Sequence, residues 1–443
     1  MQPALGGPAA DSGSAPKKIV IYGINYAPEL LGVGRFSGEL GGFLARSGSQ
    51  VEVIASPPHY PSWSIPRPYR ATGYLRETID RVRITRCPIW LGKSMRGFAR
   101  LIAPASFAVS SAPIAFWRIL RTRPDLVLVI EPTLLVAPVA LLAAVLCGAR
   151  TVLHVQDLEV DAAFAVGHLR GERWRRAALW IERRLLSRFD AVVTISQRMR
   201  DRLRDKQVVP ERLAIVRNWV DLESIVPRDG PNAFRDELGI SSDTFVALYA
   251  GSVGAKQGLD VMLDAAERLR TEPAILFVVA GHGPATEGLT ARYGRLPNVR
   301  FLPMQPESRL CELLNLADVH ILPQTRDAAD LVLPSKLGGM LASGRDLLVT
   351  ADAGTELHTF LSGTATLVSA GDSESLAREV CRLARERVVP DVANLRALAA
   401  EFDSRRSLPR FAALLSHVAS GGSLGDPGGA DETSYRASHA TTA

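Results

Sequence analysis

LYAGSVGAKQGLD, Leu248 to Asp260, runs from a strand-like apolar stretch through a glycine-rich loop holding one lysine into a helical register. Glycines at 251, 254 and 258 permit positive φ and let the main chain come close to a ligand, and a following helix would aim free N–H groups at an anion. Lys256 adds a mobile full charge. An ordinary strand-to-helix turn with a solvated lysine fits the same letters, so the flanking sequence has to decide.

Outward from that loop, short β-branched runs alternate with helical patterns. KIVIYG (18–23), QVEVIA (50–55), DLVLVI (125–130), TVLHV (151–155) and DAVVTI (190–195) form one series, and FVALYAG, ILFVVAG, DVHILP and DLLVT form a second. Continuous apolar strands separated by helices predict parallel sheets covered on both faces. Phe36, Leu40, Phe43 and Leu44 repeat at helical spacing, with Gly48 at the exit. A polar joint at Pro227 to Asn232 separates the series. The prediction is an α/β chain of two Rossmann-like, doubly wound domains, 17–228 and 233–400, facing a central cleft. A helix at 401–418 returns to the first domain, between a disordered leader (1–16) and a disordered tail (420–443).

Composition bounds the function. The 443 residues are 47% hydrophobic, enough for large cores, and carry a net charge of +6. That charge suits a nucleotide, a nucleic acid or an acidic membrane. With 6% aromatics and no basic run interleaved with them, nucleic acid is disfavoured. Cys87, Cys147, Cys311 and Cys381 are scattered among apolar residues, which predicts reduced thiols in a cytoplasmic protein and no zinc spacing. The first residues lack a basic cluster followed by an apolar core, so no secretory signal is predicted. Leu126 to Ala149 is apolar enough to span a bilayer, but Glu131, Pro132 and Pro138 interrupt it. A buried strand, a turn and a buried helix stopping at Gly148 account for the same residues.

In open α/β folds, ligands bind beyond the carboxyl ends of the strands. The first such loop, GINYAPELLGVGRF, offers Gly32 and Gly34 ahead of the helix containing Phe36. The second domain adds VVAGHGP, NVRFLPM, ADVHILP and DAADLVLPSKLGGMLASG, then AGTELHTFLSGTATLVSAGDSESLA. In that order these segments resemble the donor-binding domain of family-four glycosyltransferases of the two-Rossmann, GT-B type. YGINYAPELLGVGRF, SPPHYPSW and LHVQDLEVDA are similar to the colanic-acid and exopolysaccharide branch. The resemblance covers about residues 17 to 418.

It implies retaining transfer of a hexose-type sugar from a nucleoside-diphosphate sugar, with the donor held by the second domain and the acceptor by the first. Negative charge grows on the departing diphosphate and needs preorganised partners. Lys256 is assigned to it, with Gly251 and Ser252 in the same loop, and Gly281 and Gly283 beside the base. Many members carry an arginine where Ser252 stands and two glutamates in the later loop, where this chain has Ala328 and Lys336. Lys336 and Ser335 then supply the missing positive charge and helix-start N–H groups, while Asp327 and Asp330 are candidate replacements for the carboxylates or simple helix caps.

On the acceptor side, Asp157 is the first candidate for a catalytic contact and His154 the second; alternation along the strand could instead turn His154 into the core. Glu159 and Asp161 are read as caps. No cofactor is expected, and no metal, since no Asp-x-Asp triplet stands out. The arginine-rich segment Arg170 to Asp190 and the stretch Met95 to Trp117 are candidates for peripheral contact with an anionic membrane, where a lipid-linked acceptor would sit. An epimerase of sugar nucleotides and a non-catalytic nucleotide-sugar binder are the competing readings.

Overall fold

The computed structural model describes residues 17–92, 99–158, 172–254, 257–324 and 334–424. The first sheet is built from β1 (Lys18–Tyr22), β2 (Gln50–Ala55), β3 (Leu75–Ile79), β4 (Val82–Arg86), β5 (Leu126–Glu131), β6 (Arg150–Val155), β7 (Ala191–Thr194) and β8 (Leu213–Ile215). Their spatial order is β3-β4-β2-β1-β5-β6-β7-β8, parallel throughout except where β3 closes an antiparallel pair with β4. The inner strands are apolar on both sides because helices cover both faces. β3 and β4 escape the sequence reading because the outer strand is half solvated, so its letters lack an apolar run.

The second sheet contains β9 (Phe245–Ala250), β10 (Ile275–Ala280), β11 (Val299–Leu302), β12 (Val319–Leu322), β13 (Asp346–Thr350) and β14 (Thr366–Val368), ordered β11-β10-β9-β12-β13-β14 and wholly parallel. In each sheet the strand order reverses once, between β1 and β5 and between β9 and β12. Each reversal opens a crevice at the carboxyl edge, where a ligand can enter without displacing a crossover.

One helix, Gly32–Arg46, packs on one face of the first sheet together with the terminal helix Ser404–Ala419, which sinks Phe411, Leu415 and Val418 into that layer. The opposite face carries the helices Ala99–Thr122, Ala137–Cys147 and Glu172–Leu186. The Leu126 to Ala149 stretch is therefore β5 and a helix that stops at left-handed Gly148 (φ 74°). That helix is not wholly buried, however. Ala137, Ala140, Ala143 and Ala144 face the sheet, whereas Leu142, Val145 and Leu146 face outward. No described helix is long and apolar enough to cross a membrane.

Candidate active site

The carboxyl edges of the two sheets meet. From the second domain, Glu356 at the start of the helix Glu356–Leu361 receives the backbone N–H groups of Gln197 (2.9 Å) and Arg198 (2.8 Å) in the first. Arg217 adds an ion pair to the same carboxylate at 3.4 Å. The loops after β1 and β2 thus lie opposite those after β9 and β12.

Tyr249 is the second-last residue of β9, and its ring is buried. Its hydroxyl donates to the Ser252 carbonyl at 2.6 Å, tying the glycine loop back to its own strand. The Lys336 amine stands 3.7 Å from the centre of that ring and donates to the same hydroxyl. Lys336 is half-buried, and loss of water around the amine pulls its pKa down to about 7. Burial, and next the Tyr60 phenol reaching over from the first domain, push the Tyr249 hydroxyl above the ordinary tyrosine range. Among the described residues no carboxylate pairs with this amine, and an arriving phosphate would supply one anionic partner.

Glycine positions follow from close approaches. Gly251, at φ 146°, leaves the space in which the Lys336 amine lies; a methyl group there would be 3.4 Å from it. Gly281 and Gly283, expected beside the base, are required by a close approach of two loops. A methyl at Gly281 would fall 1.8 Å from the Gly251 carbonyl oxygen, and one at Gly283 would fall 2.2 Å from that of Val253. The two loops are zipped together, with Val253 N–H donating to the His282 carbonyl at 3.1 Å. These glycines let one loop rest on the other.

In the first domain, Gly32 (φ 61°) is covered by the Tyr60 ring, whose edge would lie 3.3 Å from an added methyl. Gly34 faces Glu29 rather than open space, since a methyl there would meet a Glu29 carboxylate oxygen at 2.2 Å. That buried carboxylate accepts the N–H groups of His59 (3.0 Å) and Tyr60 (3.1 Å) and the Asn25 amide (2.9 Å). Glu29 therefore sets the position of Tyr60, and both were missed in the sequence; Tyr60 lies in the SPPHYPSW motif and Glu29 in the first glycine loop.

His154 is corrected. It lies on β6 with 1% exposure, its ring edge-on to Phe411 at 4.9 Å, and neither ring nitrogen is hydrogen-bonded among the described residues. Burial pulls its pKa down to about 3, so it is a neutral core residue under the terminal helix. Strand alternation explains this: the residue two places on, Gln156, also turns inward and accepts from the Asn218 amide at 3.4 Å. Asp157 is half-buried at the carboxyl end of β6, on the edge that carries Gly32. Ser335 is exposed, next to Lys336 at the start of the six-residue helix Leu337–Ala342. Lys256, Asp327, Asp330, Glu159 and Asp161 lie outside the described residues.

Residues 32–219 match the Glycosyl transferase 4-like domain, and residues 244–386 match Glycosyl transferases group 1. WcaI of Escherichia coli (strain K12), named as a colanic acid biosynthesis glycosyl transferase, is 40% identical over 347 residues, which cover 77% of this chain and 84% of WcaI. The chain belongs to this glycosyltransferase family. Its fold is GT-B: sucrose-phosphate synthase from Thermosynechococcus elongatus superposes with a TM-score of 0.69 at 16% identity, over 91% of this chain and all of that one. Anabaena HepE, solved with UDP-glucose, superposes with a TM-score of 0.64 at 15% identity, over 90% of this chain and 99% of that one. Within this glycosyltransferase the two matched domains are the two sheets that Glu356 ties together.

Proposed function

We propose that this glycosyltransferase moves a hexose-type sugar, with retention, from a nucleoside-diphosphate sugar to a lipid-linked saccharide during assembly of an exopolysaccharide of the colanic-acid kind. The observation that carries the donor half is the Lys336 amine, held over Tyr249 beside Gly251 at the inner edge of the cleft. The likeness to WcaI supports the pathway class, and HepE, bound to UDP-glucose in the same fold, supports a nucleoside-diphosphate donor.

In this reading Lys336 and Lys256 take the charge that grows on the diphosphate, a role a metal ion fills in other transferases, and no cofactor takes part. Donor binding draws the Lys336 amine from its neutral partners into an ion pair, which favours its protonated form. Asp157 contacts the acceptor or the transferred sugar. The acceptor hydroxyl attacks on the face the diphosphate leaves, and a diphosphate oxygen receives its proton, so the glycosidic bond to phosphate breaks as the new one forms. The reaction takes place on the cytoplasmic side of the membrane.

The test is a thermal-shift screen of the whole protein against nucleoside-diphosphate sugars, followed by acceptor-dependent release of nucleoside diphosphate. A matching donor at a hundredfold excess over its Kd adds about 2.7 kcal/mol to stability. Lys336→Met should weaken that donor about tenfold or more, the usual consequence of losing a charged hydrogen-bond donor. A donor series that shifts neither protein, or an Lys336→Met protein that binds as well as wild type, would overturn the assignment. Isomerised donor without acceptor would indicate an epimerase instead.

A further inference from the structure

The outer side of the helix layer Ala99–Thr122 and Ala137–Cys147 is apolar and uncovered. On the first helix Ile102, Val109 and Trp117 point away from the sheet, Val109 with 77% and Trp117 with 61% of its surface exposed. These positions recur every two turns, so they form one stripe. The second helix packs directly against the first and presents Leu142, Val145 and Leu146, with Val145 again 77% exposed. The second helix contains no charged residue at all. A stripe of this kind shared by two adjacent helices exceeds the scattered apolar residues of an ordinary surface and marks a contact face.

The neighbouring helix of the same layer, Glu172–Leu186, identifies the partner. Arg173, Arg175, Arg176, Arg183 and Arg184 are exposed on it, around Trp180, which is 62% exposed. Glu182, the one carboxylate among its described side chains, is buried in an ion pair with Lys206. A second copy docking by the same face would set arginine cluster against arginine cluster, which costs association energy. An anionic bilayer satisfies both halves of the surface, because its headgroups accept the arginines while its acyl boundary accepts the apolar stripe and the indoles.

We infer that the helices Ala99–Thr122 and Ala137–Cys147 insert their outer apolar stripe into the interface of an anionic bilayer, with the arginines of Glu172–Leu186 as the electrostatic anchor. The surface brings the enzyme to the membrane that carries the lipid-linked acceptor of the proposed function, on which its biological sense rests. The face lies on the back of the first sheet, separate from the cleft, so its occupancy can be measured with neither donor nor acceptor.

The experiment is co-sedimentation of the full chain with vesicles of phosphatidylglycerol mixed with phosphatidylcholine, and with phosphatidylcholine alone. Wild type should bind the anionic vesicles and be released by salt. Val109→Asp, and separately Val145→Glu with Leu146→Glu, should each lower partitioning about tenfold or more while circular dichroism and Tm hold, because these side chains are already in water. Arg175→Gln with Arg176→Gln should lower it about fivefold per arginine. Absence of binding to anionic vesicles, or binding unchanged in both apolar variants, would overturn the inference. A dimer seen by light scattering and dissociated by Val145→Glu would assign the face to a second copy instead.

Discussion

His154 and His320 are buried on β6 and β12, and burial brings both pKa values down to about 3 from 6.5. Unfolded, each takes a proton near pH 6.5; folded, neither does until near pH 3. Between those values the unfolded chain holds more protons, so stability falls as pH falls, by about 1.4 kcal/mol per pH unit for each histidine, and is fully present above 6.5. His154→Leu should therefore lose about 2 kcal/mol less than wild type between pH 6.5 and 5 in urea unfolding. Parallel pH profiles for the two proteins would refute the neutral core assignment. The residue letters alone left His154 open between site and core, because a strand's two faces look alike until the sheet has been covered. Lys336 was singled out in the sequence for its charge, but its phenol partner at 249 was hidden inside an apolar strand.

Among the elements, Glu172–Leu186 depends on one buried pair. Glu182 and Lys206 are 2% and 5% exposed, and their ion pair ties this helix to the end of the next one, Gln197–Asp205. Two charges taken from water are tolerable as partners, so removing one takes a close counter-charge from the other. Glu182→Ala should cost about 3 to 5 kcal/mol in chemical denaturation, while Glu182→Met with Lys206→Leu should come close to neutral. A cost below about 1 kcal/mol for the single variant would show that water reaches the pair. The amphipathic period of this helix was plain in its sequence, as was its arginine content. Its buried glutamate was not, since the partner lies on another element 24 residues away.

For the molecule as a whole, Glu356 ties the domains together. It accepts the first two N–H groups of the helix Gln197–Asp205, while Ser196 accepts the third from Met199, so the helix start is capped from both domains. Glu356→Ala should leave two donors without partners, raise hydrogen exchange at Gln197 and Arg198, and cost about 1 to 3 kcal/mol of domain pairing. Unchanged protection at those two amides would place the tie elsewhere. Two doubly wound sheets and the loops at their carboxyl edges follow from local pattern, because a buried parallel strand must be apolar on both faces and its helix amphipathic. Folding alone decided which side chains those loops share. The Tyr60 ring covers Gly32 and one glycine loop lies on another, through contacts between residues far apart in the chain. Exposure is likewise a tertiary property: one apolar run between residues 126 and 149 yields a buried strand and a helix with one face left to the outside.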